Sequence, residues 1–361
     1  MKSISSVADY ISKVTKIIAE NNDDKKIVVF RGETQDFGDT SCVPNIFRKR
    51  LLENNKRFEK NLFDEMTANN VSIGSTYLEK AISAQHDGFP SRLLDVTYNS
   101  LVALYFACTP YYHEVETSKD EYDGKVFLFF IEKMFCPVGE NIVSNYDEII
   151  KSDTSSFISK SLFNSNHKLI DHIKTNKRII AQQGAFILFQ GNDYKKIPER
   201  ISRSINIPKE VKPKLRKELK DLFGIYTGSV YPQPENFVKD LEKKSSLIDA
   251  TEFSFETELN MALYNLEEEL KYQIDIIYSK NTKKEVITKI IEIEKYIKEF
   301  KLCIQEIKEF CLNLKDENNY KDSFSNFLHD YNIIVKEFSV EISECCEDSA
   351  EDLYKNYEIK I

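Results

Sequence analysis

The chain has 361 residues, 30% of them charged and 41% hydrophobic, enough for two domains with cores of their own. No apolar run approaches the ~20 residues that span a bilayer, and residues 1–6 lack the basic-then-apolar pattern of a secretion signal, so a cytoplasmic protein without membrane contact is expected. The net charge of −9 is unevenly divided: residues 243–361 hold 26 acids and 16 lysines, whereas residues 1–242 hold 33 acids, 34 bases and every arginine, which places anion chemistry in the first part.

Residues 3–20 read as an amphipathic helix with Val7, Ile11, Val14 and Ile18 on one face. A short strand over 27–30 follows, then a loop over 32–46 containing Gly32, Gly38 and Pro44. Residues 47–84 are predicted to be largely helical with a break at Asn69-Asn70; 85–90 is a turn, and helix resumes over 100–108. Strands are expected over 126–131, opened by Gly124, over 185–189, and over 201–207, where polar and apolar residues alternate. Pro208 and Pro213 flank the entry to a helix ending at Phe223. The predicted class is α+β, helices segregated from a small, mainly antiparallel sheet.

From about residue 245 the pattern changes. Val286, Ile290, Ile293, Ile297, Phe300, Ile304, Ile307, Cys311 and Leu314 alternate spacings of four and three, a heptad seam over four heptads. Leu259, Leu263, Leu266, Leu270 and Ile277 precede it, and Phe324, Leu328, Tyr331, Val335, Phe338 and Ile342 follow. Breaks at 279–281 and 316–322 predict three helices folding back as an antiparallel bundle, the middle one ~43 Å long. The expected domains are therefore 1–242 and an acidic helical bundle or coiled-coil arm, 243–361. Such a seam packs a bundle on itself, builds a homo-oligomer through residues 245–345, or presents an arm to a partner.

Three stretches combine polar groups with a glycine at the edge of an apolar element, where pockets gather converging polar groups. They are Phe30-Arg31-Gly32-Glu33, the run QHDGFPSRLLDVT over 85–97, and RIIAQQGAF over 178–186. Gly32 leaves room for a ligand to approach the backbone beside the fixed cation of Arg31. Alternatively, Arg31 pairs with Asp95 or another carboxylate, as buried charges do. Arg92 and Asp95, three apart, have the spacing of an ion pair on a helical turn. His86 is the one histidine inside a patterned segment, as scaffold or as catalyst. Gln182 and Gln183 are no bases, but their amides can fix a ribose hydroxyl.

Other chemistries find no support. GxGxxG, GxxxxGK[ST] and GxSxG are absent, and His167 and His172 have no metal-ligand spacing, so no metal site is expected. The seven cysteines, Cys42, Cys108, Cys136, Cys303, Cys311, Cys345 and Cys346, form no CxxC and fit a reducing compartment. The basic run Arg48-Lys49-Arg50, with Lys56 and Arg57, can touch phosphate or simply be a solvated face. The near-neutral balance of 1–242 argues against a nucleic-acid backbone as its partner.

Together the three stretches resemble the FRG domain, a family named for its Phe-Arg-Gly motif, whose pattern runs FRGQ, QHYGLPTRLLDWT, NPLVALYFA and RIxAQQGAF. The counterparts are Phe30-Arg31-Gly32, Gln85-His86, Arg92-Leu93-Leu94-Asp95, Thr97, LVALYFA over 101–107 and the run 178–186; Leu222 to Ile225 and Tyr231-Pro232 are similar to the closing elements. The likeness runs over roughly 20–242. Glu33 stands where Gln is usual, Asp87 for an aromatic, Val96 for Trp and Ser100 for Pro. FRG domains are distantly similar to ADP-ribosyltransferases and occur in bacterial and phage-associated genes tied to toxin or antiphage roles. The resemblance thus implies an ADP-ribosyltransferase-like fold with NAD as substrate and Arg31 gripping it from the end of the first core strand. Gln182, Gln183 or Glu33 would handle the nicotinamide ribose, with Gly32, Gln85, His86, Arg92, Asp95 and Thr97 around the ligand. The acceptor would be a protein, a nucleic acid or water. Two further readings stand beside it: a non-catalytic interaction or sensor module with Arg31, Arg92, Asp95 and Gln183 in a structural network, and a nucleic-acid-acting effector.

Overall fold

A computed structural model of the chain describes residues 4–21, 25–71, 74–86, 88–111, 113–151, 160–172, 176–248, 250, 253–280, 282–313, 318–344 and 350–359. Asp87, Leu314, Cys345, Cys346 and the side chain of His86 lie outside the described residues. The chain divides into two compact units, Met1–Ser246 and Leu247–Ile361.

In the first unit, the described strands β1 (Ile27–Glu33), β2 (Leu93–Thr97), β3 (Gly124–Ile131), β4 (Met134–Phe135), β5 (Lys168–Ile170), β6 (Gly184–Leu188) and β7 (Ser202–Ile207) form one sheet. Its order is β4-β5-β6-β2-β1-β3-β7, antiparallel throughout except for the β4–β5 pair. The helices are α1 (Val7–Asn21), α2 (Asn45–Arg48), α3 (Leu51–Asn54), α4 (Phe58–Ala68), α5 (Tyr77–His86), α6 (Ser100–Cys108), α7 (Glu140–Lys151), α8 (Lys177–Gln182), α9 (Lys212–Phe223), α10 (Thr227–Val230) and α11 (Val238–Ser245). The α+β class holds.

Successive strand residues point to opposite faces, so both sheet faces are covered. Phe30, Leu128 and Ile205 pack with α1, α6 and α9, while Leu93, Phe186 and Leu188 pack with α4, α5 and α7. Val29, Leu94, Val96 and Phe129 face Ile46, Phe47 and Leu52 of α2 and α3. On α1 the buried face is Val7, Tyr10 and Val14; Ile11, expected inside, is 38% exposed. Tyr10 takes that place because its ring is buried while its hydroxyl donates to the Ser100 carbonyl at 2.8 Å.

β1 runs three residues beyond the predicted strand, so the whole Phe30-Arg31-Gly32-Glu33 motif is extended chain. The cause is β3, which pairs along its full length, with Arg31 opposite Phe127, Gly32 opposite Val126 and Glu33 opposite Lys125. Gly32 also departs from expectation. A Cβ there would lie 1.9 Å from the Ala103 carbonyl oxygen, and one at Gly124 would lie 2.2 Å from that of Ala107. The backbone of α6 therefore rests directly on β1 and β3, and the space beside Gly32 is taken by a helix. That helix starts where expected, the Asn99 side chain accepting from the Leu101 and Val102 N–H groups.

The second unit comprises α12 (Phe255–Tyr278), α13 (Lys283–Asn313), α14 (Asn318–Ser343) and α15 (Ala350–Tyr357). The heptad seam is its core: Ile293, Ile297, Ile304 and Cys311 are buried against Leu266 and Leu270 of α12 and Tyr331 and Val335 of α14. Beyond Ile342, where the apolar repeat of the sequence ends, α15 completes the cluster with Leu353 and Tyr357. It is pinned by Tyr331, whose hydroxyl donates to the Tyr357 carbonyl at 3.0 Å, and by Asn332, which exchanges two hydrogen bonds with the Ile359 backbone. Among the described residues no helix is long and apolar enough to cross a membrane.

Candidate functional site

In the first unit a cleft of about 460 Å³ opens where β1 and β2 meet α5, α8 and the segments around residues 37–48 and 106–119. Its lining falls into two groups of side chains, joined by Gln85, Asp95 and Thr97.

The first group is built on Arg31. Its Nε donates to Glu33 Oε1 at 3.0 Å and its Nη1 to the Asp95 carbonyl at 2.8 Å, while the side chain stays 20% exposed. Burial works against its charge, but Glu33, and after it Cys42 and Asp95, outweigh that and hold the Arg31 pKa above its ordinary value. Glu33 is 3% exposed. Its Oε1 also accepts from the Cys42 N–H at 3.0 Å, which the left-handed conformation of Cys42 (φ 55°) accompanies. Glu33 Oε2 is covered and makes no hydrogen bond among the described residues. Arg48, the last residue of α2, stands with its guanidinium 5.1 Å from the centre of the Phe37 ring and donates through Nη2 to the Val43 carbonyl at 3.1 Å. Burial lowers the pKa of Arg48, and the like charge of Arg31 lowers it further. Two cations thus line the same cleft, and the charge of each bears on the other.

The second group centres on Arg178 of α8. Its guanidinium lies 4.6 Å from the ring centre of Tyr231 and 5.6 Å from that of Tyr111. The two rings meet edge to face at 6.0 Å, and Phe106 packs on Tyr231 at 6.2 Å. Gln182 ends α8 and donates through Nε2 to the Val230 carbonyl at 3.2 Å. Thr97 donates to the Gln182 carbonyl at 2.6 Å and accepts from the Asn99 N–H, tying β2 to α8 and to the start of α6. Between the groups, Gln85 Nε2 donates to Asp95 Oδ2 at 2.9 Å and to the Leu93 carbonyl, while its Oε1 accepts from Ser91. Beneath the lining, buried Lys212 donates to the carbonyls of Thr34 and Lys119 and joins those two segments.

Of the residues singled out from sequence, Arg31, Gly32, Glu33, Gln85, Asp95, Thr97 and Gln182 line this one cleft. Arg92 and Gln183 do not. Arg92 is fully buried: its Nε and backbone N–H donate to Glu59 and its Nη1 to the Gly191 carbonyl, while Tyr146 donates to the same carboxylate. The expected Arg92–Asp95 pair does not form, because β2 is extended and carries residues three apart to opposite faces. Gln183 is exposed and closes α8 in the left-handed region (φ 47°, ψ 48°), where its backbone accepts from Tyr98. The network expected to join Arg31, Arg92, Asp95 and Gln183 is therefore reduced to the contact of Arg31 with the Asp95 carbonyl. Sequence reasoning missed Arg178, Phe37, Phe106, Tyr111 and Tyr231 as lining residues, and Arg48 only as one member of a basic run. Among the described residues no cluster of three His, Cys, Asp or Glu suits a metal ion.

Residues 26–116 match the family model of the FRG domain. Over this quarter of the chain the sequence is that of an FRG domain. The match includes Arg31, Glu33, Arg48, Gln85, Asp95, Thr97, Phe106 and Tyr111, but stops well short of residue 242, to which the sequence likeness extended. Arg178, Gln182 and Tyr231 complete the cleft from beyond the matched segment. Neither a curated protein nor a solved structure matches the chain.

Proposed function

We propose that the FRG-bearing unit binds NAD in this cleft and transfers its ADP-ribose to an acceptor or to water. The observation that carries the reading is the make-up of the cleft: three arginines and aromatic faces, with amides and carboxylates between them. Phosphate oxygens call for guanidinium donors, ribose hydroxyls for amides and carboxylates, and planar heterocycles for ring faces. The volume falls in the range of ~300–1,000 Å³ that small-molecule sites occupy. In this reading Arg31, braced by Glu33 and the Asp95 carbonyl, holds the diphosphate. Tyr231 and Tyr111 with Arg178 face a heterocycle, and the Gln182 amide takes a ribose hydroxyl.

In the transfer step the bond from ribose C1′ to the nicotinamide nitrogen breaks, and nicotinamide leaves with the electron pair. The acceptor oxygen or nitrogen bonds to C1′ and gives up its proton. Carboxylates in the cleft stabilise the cationic sugar electrostatically. A protein or nucleic-acid acceptor, a toxin or antiphage role in a bacterial cytoplasm, and use of residues 243–361 for target recognition or oligomerisation belong to the same proposal, on the resemblance alone.

One observation favours a second reading, a non-catalytic sensor. Arg31 is already held by Glu33 and Asp95, as a structural arginine would be. Nicotinamide release from NAD by the full chain, followed by chromatography, separates the two. Release that disappears in Arg31→Ala supports transfer, and binding without release supports the sensor. A wild-type chain that neither binds nor cleaves NAD overturns the transfer reading.

A further inference from the structure

The Arg31–Arg48 corner of the cleft has a donor pattern that the protein itself does not use up. Arg31 spends Nε and Nη1 on Glu33 and Asp95, and Arg48 spends Nη2 on Val43. Arg31 Nη2 and Arg48 Nη1 donate to no group among the described residues; Arg48 Nε has no partner there either, but it is covered and does not face the cleft. Both side chains line the cleft, and the positive charge of each bears on the other. Two guanidinium groups held together against their repulsion cost free energy unless an anion joins them. The cost is fixed into the fold, because Arg48 is seated between the Phe37 ring and the Val43 carbonyl, and Arg31 is seated by Glu33.

Glu33 has an unequal pair of oxygens. Oε1 does all the work, accepting from both Arg31 Nε and the Cys42 N–H, while Oε2 is covered and without a donor. A glutamine amide oxygen in the place of Oε1 would accept the same two hydrogen bonds. What the carboxylate adds is a negative charge next to two cations, which partly neutralises them toward any incoming anion.

We infer that Arg31 and Arg48 are the two jaws of a phosphate clamp, with Glu33 as its positioning residue. Glu33 sets the angle of Arg31 through one oxygen, and its charge limits how tightly the clamp closes on phosphate. The ligand class is a phosphate or diphosphate group, carried by a nucleotide or free. The inference rests on reading the cleft as a nucleotide site and adds Arg48 and Glu33 to it in defined roles.

The test is calorimetric titration of the full chain with ADP-ribose and with inorganic pyrophosphate, for wild type, Arg48→Gln, Glu33→Gln and Glu33→Ala. Arg48→Gln is expected to weaken both probes about tenfold or more and to flatten the dependence of affinity on salt. Glu33→Gln is expected to bind both several-fold more tightly than wild type, and Glu33→Ala, which frees Arg31, more weakly than Glu33→Gln. Unchanged pyrophosphate affinity in Arg48→Gln, or equal affinities for the two Glu33 variants, would overturn the clamp. Should a variant fail to fold, competition on the wild-type chain decides: pyrophosphate displaces ADP-ribose if the clamp is real, and failure to displace it contradicts the clamp. ADP-ribose binding more tightly than pyrophosphate marks a nucleotide-borne phosphate, and equal affinities mark a free one. The clamp and the transferase reading fail separately. Variant effects on pyrophosphate without nicotinamide release sink only the latter, and NAD cleavage with an unchanged KM in Arg48→Gln sinks only the former.

Discussion

Arg31 and Arg92 are two arginines of the same sequence likeness with opposite fates. Arg92 is wholly enclosed and paired with Glu59, whereas Arg31 keeps a fifth of its side chain at the cleft. Removing one partner of a buried pair strands the other charge, which costs about 3–5 kcal/mol. Glu59→Ala should lower stability by that amount in denaturant unfolding, with loss of ligand binding only through loss of fold. Gln183 makes the complementary case. It holds a left-handed helix end that glycine adopts freely, so Gln183→Gly is expected to leave NAD binding unchanged and to raise stability by up to ~1 kcal/mol. A tenfold loss of NAD affinity in that variant would return Gln183 to the site. Nothing in one sequence distinguishes these roles, because a buried arginine and a cleft arginine carry the same letter. Only the position of Glu59, 33 residues earlier in the chain, separates them.

At the scale of elements, the glycine of the Phe-Arg-Gly motif answers to a helix. α6 crosses β1 so closely that a methyl group on Gly32 would overlap the Ala103 carbonyl oxygen, and Ala107 lies as tightly over Gly124. Gly32→Ala is expected to destabilise the first unit by about 2–3 kcal/mol, seen as a lowered midpoint in thermal or denaturant unfolding. α6 was legible because its Asn99 cap and apolar run are local signals. So were β3 and β6, from their β-branched and aromatic runs, and β7, from its alternation of polar and apolar residues. β2 was not, because Leu93, Leu94, Val96 and Thr97 are buried on both faces and show no alternation around exposed Asp95. The last three residues of β1 were missed for a related reason. A charged residue looked like the end of a strand, when pairing with β3 carries the strand on and the charge is met by Glu33 two residues later.

At the scale of the whole molecule, the match to the FRG family covers residues 26–116, yet the unit that makes the cleft extends to Ser246. β3, which pairs the full length of β1, lies beyond the match, as do Arg178, Gln182 and Tyr231. A fragment limited to residues 26–116 is therefore expected to lack cooperative unfolding in circular dichroism, and a cooperative melt would contradict it. The heptad seam of the second unit was readable from spacing alone, since each seam position repeats a local rule. The cleft was readable only in part. Arg31, Gln85, Asp95 and Gln182 stand in recognisable stretches, but the box around Arg178 draws on residues 106, 111 and 231, and no periodicity links such distant positions. The charge division between the two parts of the chain coincides with the cleft's make-up only in that all three cleft arginines lie before residue 243.

The central claim is that this cleft binds a dinucleotide through Arg31. Calorimetric titration of NAD into the full chain and into Arg31→Ala, with thermal unfolding of both as the control, tests it most directly. Saturable binding by the wild type, at least tenfold weaker in a variant that still unfolds cooperatively, is the predicted result. Equal binding by both chains, or no heat of binding from a folded wild-type chain, would contradict it.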